Sequence, residues 1–338
     1  MVRSARGCKL CAKGAKMVLF VTGLCNKRCF YCPISEKKRR KDVVYANERF
    51  VEKDGDILEE AHRMNALGTG VTGGEPLLFL DRALHFMDLL KNEFGEKHHI
   101  HLYTTEKMNR EVAQKLRSHG LDEIRFHIIG RSVNYKESIE NTKDAGMSTG
   151  VELPAIPGRE KKIVDVIEKL EIDFLNLNEF EFSETNREAL TKRGFDTDNG
   201  IWANGSRELA RKIVRTYGKK VPINFCSSTF KDGVQLRNRL IRTAENVAKD
   251  YECITDDGTI VRGIIETEAE IPKIEKILRG NYKIEGKQIL IEPDVLRAIA
   301  KDLPKGSSAY ISEVYPTWDA LEVEREILKG NLPQDQKL

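Results

Sequence analysis

Cys25-Asn-Lys-Arg-Cys29-Phe-Tyr-Cys32 places three thiols on one short segment near the start of a 338-residue chain. Thiolates at this C-x3-C-x2-C spacing can ligate three irons of a [4Fe–4S] cube, because such clusters are held by cysteine sulfur. The fourth iron is then left without a protein ligand, and an open position is what a reactive metal centre keeps and a structural one closes. Lys27 and Arg28, inside the triplet, favour thiolate over thiol. A zinc knuckle is the competing reading, and it needs a fourth ligand close by. The remaining four of the seven cysteines are Cys8 and Cys11, a C-x2-C pair, with Cys226 at the end of the apolar run Val221-Pro-Ile-Asn-Phe225, and Cys253. Four thiols match a closed tetrahedral site. A second [4Fe–4S] cluster, a structural zinc and independent cysteines all stay open, since the spacing serves iron and zinc alike.

The elements that must position these groups follow from periodicity. Apolar runs expected as strands at Met17–Val21, Gly70–Thr72, His101–Thr104, Ile124–Ile129, Val151–Ile156 and Phe174–Phe182 alternate with helical patterns at Asp56–Leu67, Asp81–Phe94, Arg110–His119, Asn134–Ala145 and Lys161–Leu170. A β-then-α rhythm of about 28 residues over 16–182 is the length of a βαβ element. Right-handed crossovers then give a parallel sheet curved into a partial (β/α)6 barrel, with reactive groups at the C-terminal strand ends. In strand six, period-two alternation puts Asn176, Asn178 and Phe180 on one face and Leu177, Glu179 and Glu181 on the other. The division expected is an N-terminal CxxC segment (1–15), the barrel (16–182), an insert with a basic helical extension (183–250) and a small α+β C-terminal domain (251–338).

Composition narrows the class. Hydrophobic residues at 40% and charged residues at 32% fit a globular protein, which excludes wholesale disorder. No run reaches the ~18 apolar residues of a membrane span, and no apolar stretch follows the basic start as in a secretory signal. A cytoplasmic setting with reduced thiols is the expectation, so the cysteines read as metal ligands. The net charge of +3 identifies no partner. Locally, residues 207–249 carry a net +8 and residues 251–338 a net −5. A helix from Lys231 to Arg242 and beyond, with Leu236, Leu240, Ala244 and Val247 as its apolar stripe, turns Arg237, Arg239 and Arg242 elsewhere. With Arg211, Lys212, Arg215, Lys219 and Lys220 these could hold RNA phosphates or an anionic metabolite, or form a solvated face. Tyr315, Trp318, Asp319, Glu322, Glu324 and Arg325 read as a docking or lid segment, or as packing.

The cysteine triplet with an aromatic, Tyr31, before its last member resembles the signature of the radical S-adenosylmethionine (SAM) enzymes. Thr72-Gly73-Gly74-Glu75-Pro76, whose Glu75 lies 43 residues after Cys32 and which stands at the next strand end, resembles their GGEP motif. The resemblance implies that the open iron binds the amino and carboxylate groups of SAM. An electron from a ferredoxin- or flavodoxin-type donor then cleaves SAM to a 5′-deoxyadenosyl radical that abstracts hydrogen. Gly73 and Gly74 would let backbone carbonyls approach the methionine end, and Glu75 would meet its ammonium. Tyr31 would place its backbone near adenine, and Thr104 and Thr105 close strand three. Arg125 and His127 lie where relatives contact the ribose, although a core hydrogen bond serves His127 equally. Glu152 sits on strand five, where Ile156-Pro157-Gly158 partly resembles a G-x-I-x-G element; Pro154 replaces its first glycine and Glu160 falls one residue short of the usual acid. The triplet also resembles that of the glycyl-radical activating enzymes. Archaeal proteins described as related to pyruvate formate-lyase activating enzyme look similar over most of the chain, including its C-x2-C. Hydrogen abstraction from an unidentified substrate is the expected activity, since no cobalamin motif is evident. An RNA-modifying enzyme, an activase with a protein substrate and a non-catalytic metal module are the alternatives.

Overall fold

The computed structural model describes residues 4–267 and 274–330. The chain forms two compact units, Met1–His62 with Ala66–Leu236 and Arg63–Asn65 with Arg237–Leu338. The first is built on a nine-stranded sheet. Strands β1 (Lys16–Phe20), β4 (Gly68–Thr72), β5 (His99–Thr104), β6 (Glu123–Phe126), β7 (Ser148–Pro154), β8 (Phe174–Asn178) and β9 (Ile223–Cys226) are parallel neighbours in that order. The short antiparallel strands β2 (Tyr45–Ala46) and β3 (Arg49–Phe50) extend the β1 edge. Helices α2 (Asp54–Arg63), α3 (Leu80–Phe94), α4 (Arg110–Ser118), α5 (Lys136–Asp144) and α6 (Glu160–Lys169) make the crossovers, and α4 is capped by Asn109, whose side chain accepts from Val112 N. This is the parallel α/β barrel architecture that the rhythm of the sequence predicts, with β9 adding a strand beyond residue 182.

The alternation along the strands explains the interior. Met17, Leu19, Val71, Ile100, Leu102 and Ile124 are fully buried on one face. The opposite face carries buried Lys16, His99, His101, Glu123, Arg125 and Asn176 beside half-buried Glu152 and Asn224, a polar set that parallel strands rarely enclose. Burial of such groups requires partners, and they partner one another. Arg125 donates to Glu123 at 2.7 Å, Glu152 at 2.9 Å and Tyr103 at 3.0 Å. Glu152 also accepts from Asn176 and Asn178, both at 2.7 Å, and Asn224 donates to Asn176 at 2.6 Å. Helix α1 (Arg6–Ala12) lies against β1, β4 and β5, and Gly7 N donates to Glu123 at 3.0 Å. A Cβ on Gly7 would stand 2.6 Å from His101 Nδ1 and 2.7 Å from Arg125 Nη2, so only glycine lets the helix approach so closely.

Two expected elements end differently. Strand six stops at Asn178, four residues short of Phe182, because the chain leaves the sheet there. Phe180 and Phe182 enter a separate apolar cluster with Ile156, Leu190 and Ala203. The helix expected from Lys231 begins as a wide π turn over Lys231–Leu236, and the α-helix α10 covers Arg237–Val247; before them come the helices α7 (Arg187–Thr191) and α8 (Ser206–Tyr217) and the single turn α9 (Ser228–Phe230). Gly233 lies inside the π segment, where the low helix propensity of glycine weakens a regular turn; Leu236 is exposed rather than part of the stripe.

The second unit carries a six-stranded antiparallel sheet. Its strands are β10 (Cys253–Ile254), β11 (Ile260–Glu266), β12 (Tyr282–Glu285), β13 (Gln288–Ile291), β14 (Ser308–Val314) and β15 (Glu322–Lys329), in the order β12-β13-β11-β14-β15 with β10 on β11. With α11 (Pro293–Ile299) covering a core of Ile265, Ile289, Leu296 and Ile311, it is the α+β appendage anticipated. Tyr315 and Trp318 lie exposed between β14 and β15, and Arg325 pairs with Glu322 and stacks on Tyr310. Among the described residues no helix is long and apolar enough to cross a membrane.

Two predictions follow from the interior. Removing one partner of a buried ion pair leaves an uncompensated charge, so Arg125→Leu should cost about 3–5 kcal/mol in urea unfolding, and adding Glu123→Gln and Glu152→Gln should restore part of it. Lys16 donates to Thr69 O, His99 O and His99 Nδ1 at 2.8–3.1 Å, and burial pulls it down to about 7. The unfolded chain keeps that proton to about 10.4, so above about pH 7 the unfolded state binds the extra proton and stability rises with pH, by at most about 1.4 kcal/mol per unit. Unfolding compared at about pH 7 and 8.5, below most thiol titration, should show this rise in the native chain and lose it in Lys16→Met.

Candidate functional site

A cavity of about 530 Å³ opens at the C-terminal ends of the parallel strands. The loop after β1 supplies Cys25, Cys29 and Cys32 to its wall, and the turn after β4 supplies Gly73, Gly74 and Glu75. Main-chain contacts fuse the two motifs. Gly74 N donates to Thr22 O at 2.6 Å and Glu75 N to Leu24 O at 2.9 Å. A Cβ on Gly73 would meet Thr22 O at 2.6 Å, and one on Gly74 would meet Leu24 O at 2.3 Å. The glycine pair is thus required by the approach of the cysteine loop itself. On the other side, Gly23 N donates to Lys41 O and Arg40 N to Gly23 O, at 2.8 and 2.9 Å, bringing Arg39 and Arg40 to the cavity. The five consecutive basic residues Lys37–Lys41 are a sequence signal for this wall that motif reading passes over.

Cys25 is exposed, while Cys29 and Cys32 are half-buried. Burial pushes the Cys25 and Cys29 thiols up, against which Lys27 N donates to Cys25 Sγ at 3.3 Å. The Lys27 side chain is held 2.9 Å from Glu106, which also accepts from Asn26 at 2.8 Å. Lys27 therefore eases the Cys29 thiol less than its position in the sequence implies, behind Tyr31 and Lys162.

Glu75 is wholly buried, and donors of the chain surround its carboxylate. One oxygen accepts from Leu77 N at 3.1 Å and Thr104 Oγ1 at 2.7 Å; the other accepts from Thr105 N and Thr105 Oγ1, both at 2.7 Å. These fill the four lone-pair sites of a carboxylate. Glu75 thereby ties the end of β5 to the glycine turn. Thr104 and Thr105 face the cavity with it.

Tyr31 and His127 meet, Oη to Nε2, at 2.8 Å. The core hydrogen bond open to His127 is thus present, and its ring still lines the cavity. Burial lowers His127 to about 4, so it is neutral near pH 7. The Tyr31 carbonyl accepts from Asn186 and the Cys32 carbonyl from Thr185, which secures the C-terminal half of the loop. Phe30, Tyr31, Phe180 and Phe195 pack together beside it. The far wall is polar. Glu152 and Asn178 lie there with Glu181, whose carboxylate takes Lys231 at 2.8 Å. Glu179 is engaged by Arg207 and by Ser228 N. Lys231 was legible as a basic residue, while its pairing across 50 positions was not.

The four other cysteines divide. Cys8, Cys11 and Cys226 belong to the first unit, and Cys253 lies exposed on β10 of the second. The basic residues divide as well, with Arg211, Lys212 and Arg215 on α8 and Arg237, Arg239 and Arg242 on α10. Arg237 pairs with Asp257 at 3.4 Å, Arg242 donates to the carbonyls of Met64 and Asn65, and Lys212 pairs with Glu160.

Glu75→Gln puts an amide N–H₂ among four converging donors and leaves at least one buried donor without an acceptor. It should lower the stability of the cluster-free protein by about 1–3 kcal/mol, read by urea unfolding; an unchanged midpoint would contradict the saturated carboxylate.

Residues 19–170 match the family model described as the radical SAM superfamily, and residues 258–328 match one described as a domain of unknown function. A protein of Methanocaldococcus jannaschii, whose name assigns it provisionally as a glycyl-radical enzyme activating enzyme, is 44% identical over 345 aligned positions, covering 94% of this chain and 91% of that protein. Identity at this level over nearly the whole length, with the three-cysteine loop and glycine turn fused at one cavity, shows that the chain belongs to the radical SAM superfamily, enzymes that use a [4Fe–4S] cluster and S-adenosylmethionine.

Proposed function

We propose that the protein reductively cleaves SAM and uses the resulting 5′-deoxyadenosyl radical to abstract hydrogen from a substrate held at the polar wall of the cavity. The observation that carries this reading is the shared lining: cysteine triplet, glycine turn, His127 and the Glu152–Asn178–Glu181–Lys231 wall surround one space of about 530 Å³. The residues fit the cofactors. Three soft thiol donors on one loop suit iron, and the half-exposed triplet faces the turn whose carbonyls would receive the methionine end. Cys25, Cys29 and Cys32 would hold the cluster, which would supply the electron that breaks the sulfonium bond of SAM.

The chain's own part is to hold and to shield. Glu75 keeps Thr104 and Thr105 against the glycine turn, so the methionine side of the cavity is rigid. Neutral His127, fixed by Tyr31, offers a polar contact for a ribose without adding charge. Phe30, Tyr31 and Phe180 form an apolar flank that excludes water from a reactive radical. Glu152 is oriented by Arg125, Asn176 and Asn178 and presents a fixed carboxylate towards the substrate side. A ferredoxin- or flavodoxin-type donor would supply the electron, in the reducing cytoplasm that free thiols favour.

A second reading is activation of a glycyl-radical enzyme, and the name of the M. jannaschii relative favours it. The substrate would then be a backbone glycine of a partner protein. The RNA reading is the less supported, because Arg237 and Arg242 are engaged within the second unit.

Anaerobically reconstituted, reduced protein should form 5′-deoxyadenosine from SAM, and Cys29→Ala should fall to the level of a protein-free control. Product formation surviving in Cys29→Ala would overturn the assignment. A glycyl-radical EPR signal in a co-incubated glycyl-radical enzyme would select the activase reading, and its absence alongside robust SAM cleavage would select a different substrate.

A further inference from the structure

Cys8, Cys11 and Cys226 have no task in the chemistry described above, yet the fold gathers them in the polar interior of the first unit. Cys8 and Cys11 stand three residues apart on α1, a spacing that shares a helix face. Cys8 Sγ accepts from Arg125 Nη2 at 3.3 Å and lies 3.8 Å from Asn176 Oδ1. Asn176 is bonded to Asn224 on β9, and Cys226 follows two residues later on the same strand and so faces the same side. Gln235, on the π segment against which α1 packs, donates to Cys226 Sγ at 3.5 Å.

These are unusual surroundings for inert cysteines, which ordinarily fill apolar cores. Cys8 and Cys226 stand instead among the strong hydrogen-bonding groups of Arg125, Asn176 and Gln235. A metal centre takes thiolates, and the guanidinium of Arg125 already donates to the Cys8 sulfur. Hydrogen bonds to the sulfurs are also a means by which proteins tune iron–sulfur clusters. Among the described residues, no three cysteine, histidine or acidic groups are gathered for a single metal ion, and that holds equally for Cys25, Cys29 and Cys32.

We propose that Cys8, Cys11 and Cys226 ligate a second iron–sulfur cluster inside the first unit, leaving one iron position for a ligand other than cysteine. Arg125 joins this centre to the substrate cavity, since the guanidinium that touches Cys8 also orients Glu152 on the cavity wall. Cys253 takes no part.

The test is independent of the proposed reaction. In the triple variant Cys25→Ser/Cys29→Ser/Cys32→Ser, reconstituted anaerobically with iron and sulfide, equal amounts of both should remain, up to about four per chain. Adding Cys226→Ser or Cys8→Ser should remove them, while adding Cys253→Ser should not. Cys11→Ser, at a half-buried position, carries the test if the buried variants fail to fold. A triple variant without iron, one holding a single zinc in its place, or iron that persists after Cys8, Cys11 and Cys226 are replaced would each overturn the proposal.

Discussion

A guanidinium sealed in the barrel is the constraint on which the first unit depends. Arg125 is 2% exposed, and arginine keeps its proton in proteins. Its charge must therefore be met where it stands. Glu123, Glu152, Tyr103 and the Cys8 sulfur meet it, from β5, β6, β7 and α1. An isolated charge of this kind would be prohibitive, and even a paired one adds little net stability over an apolar core. What the network provides is definition. It seats α1 on the inner face and aims Glu152 at the cavity through Asn176 and Asn178.

Above that layer the reactive end is built from main chain. The cysteine loop and the glycine turn touch through carbonyls and amides, so the positions of the thiols and of the glycine turn are set by one another. Glu75 shows how such a motif works in this fold. Its oxygens are satisfied by Leu77, Thr104 and Thr105, so it braces two strand ends, and a contact to a ligand ammonium would come in exchange for one of these bonds. His127 is similar: its hydrogen bond to Tyr31 holds the aromatic residue of the cysteine triplet while leaving a neutral ring at the cavity.

The superfamily is established by identity across nearly the whole chain, whereas the reaction beyond SAM cleavage rests on the polar wall of the cavity. Fold alone does not choose the substrate. The wall of Glu152, Asn178, Glu181 and Lys231 offers polar groups and one paired charge.

The sequence by itself determined the features that are local. The C-x3-C-x2-C spacing, the GGEP turn and the β-then-α rhythm each lie within a short stretch, where covalent geometry and periodicity act directly. For that reason the parallel sheet, the α+β appendage and the place of the cysteine loop after the first strand were legible from residue order. The strand ends were less so. Asn178 closes β8 because Phe180 and Phe182 find an apolar cluster formed by distant segments. Only the tertiary structure decided that Gly73 and Gly74 clear the way for the cysteine loop, that Glu181 meets Lys231, and that Cys226 shares an interior with Cys8 while Cys253 stands in another unit. Cys8 and Arg125 are 117 residues apart. Hydrogen bonding and charge compensation at such separations depend on which faces the folded strands turn towards one another, and periodicity reports a face without naming what will stand opposite it.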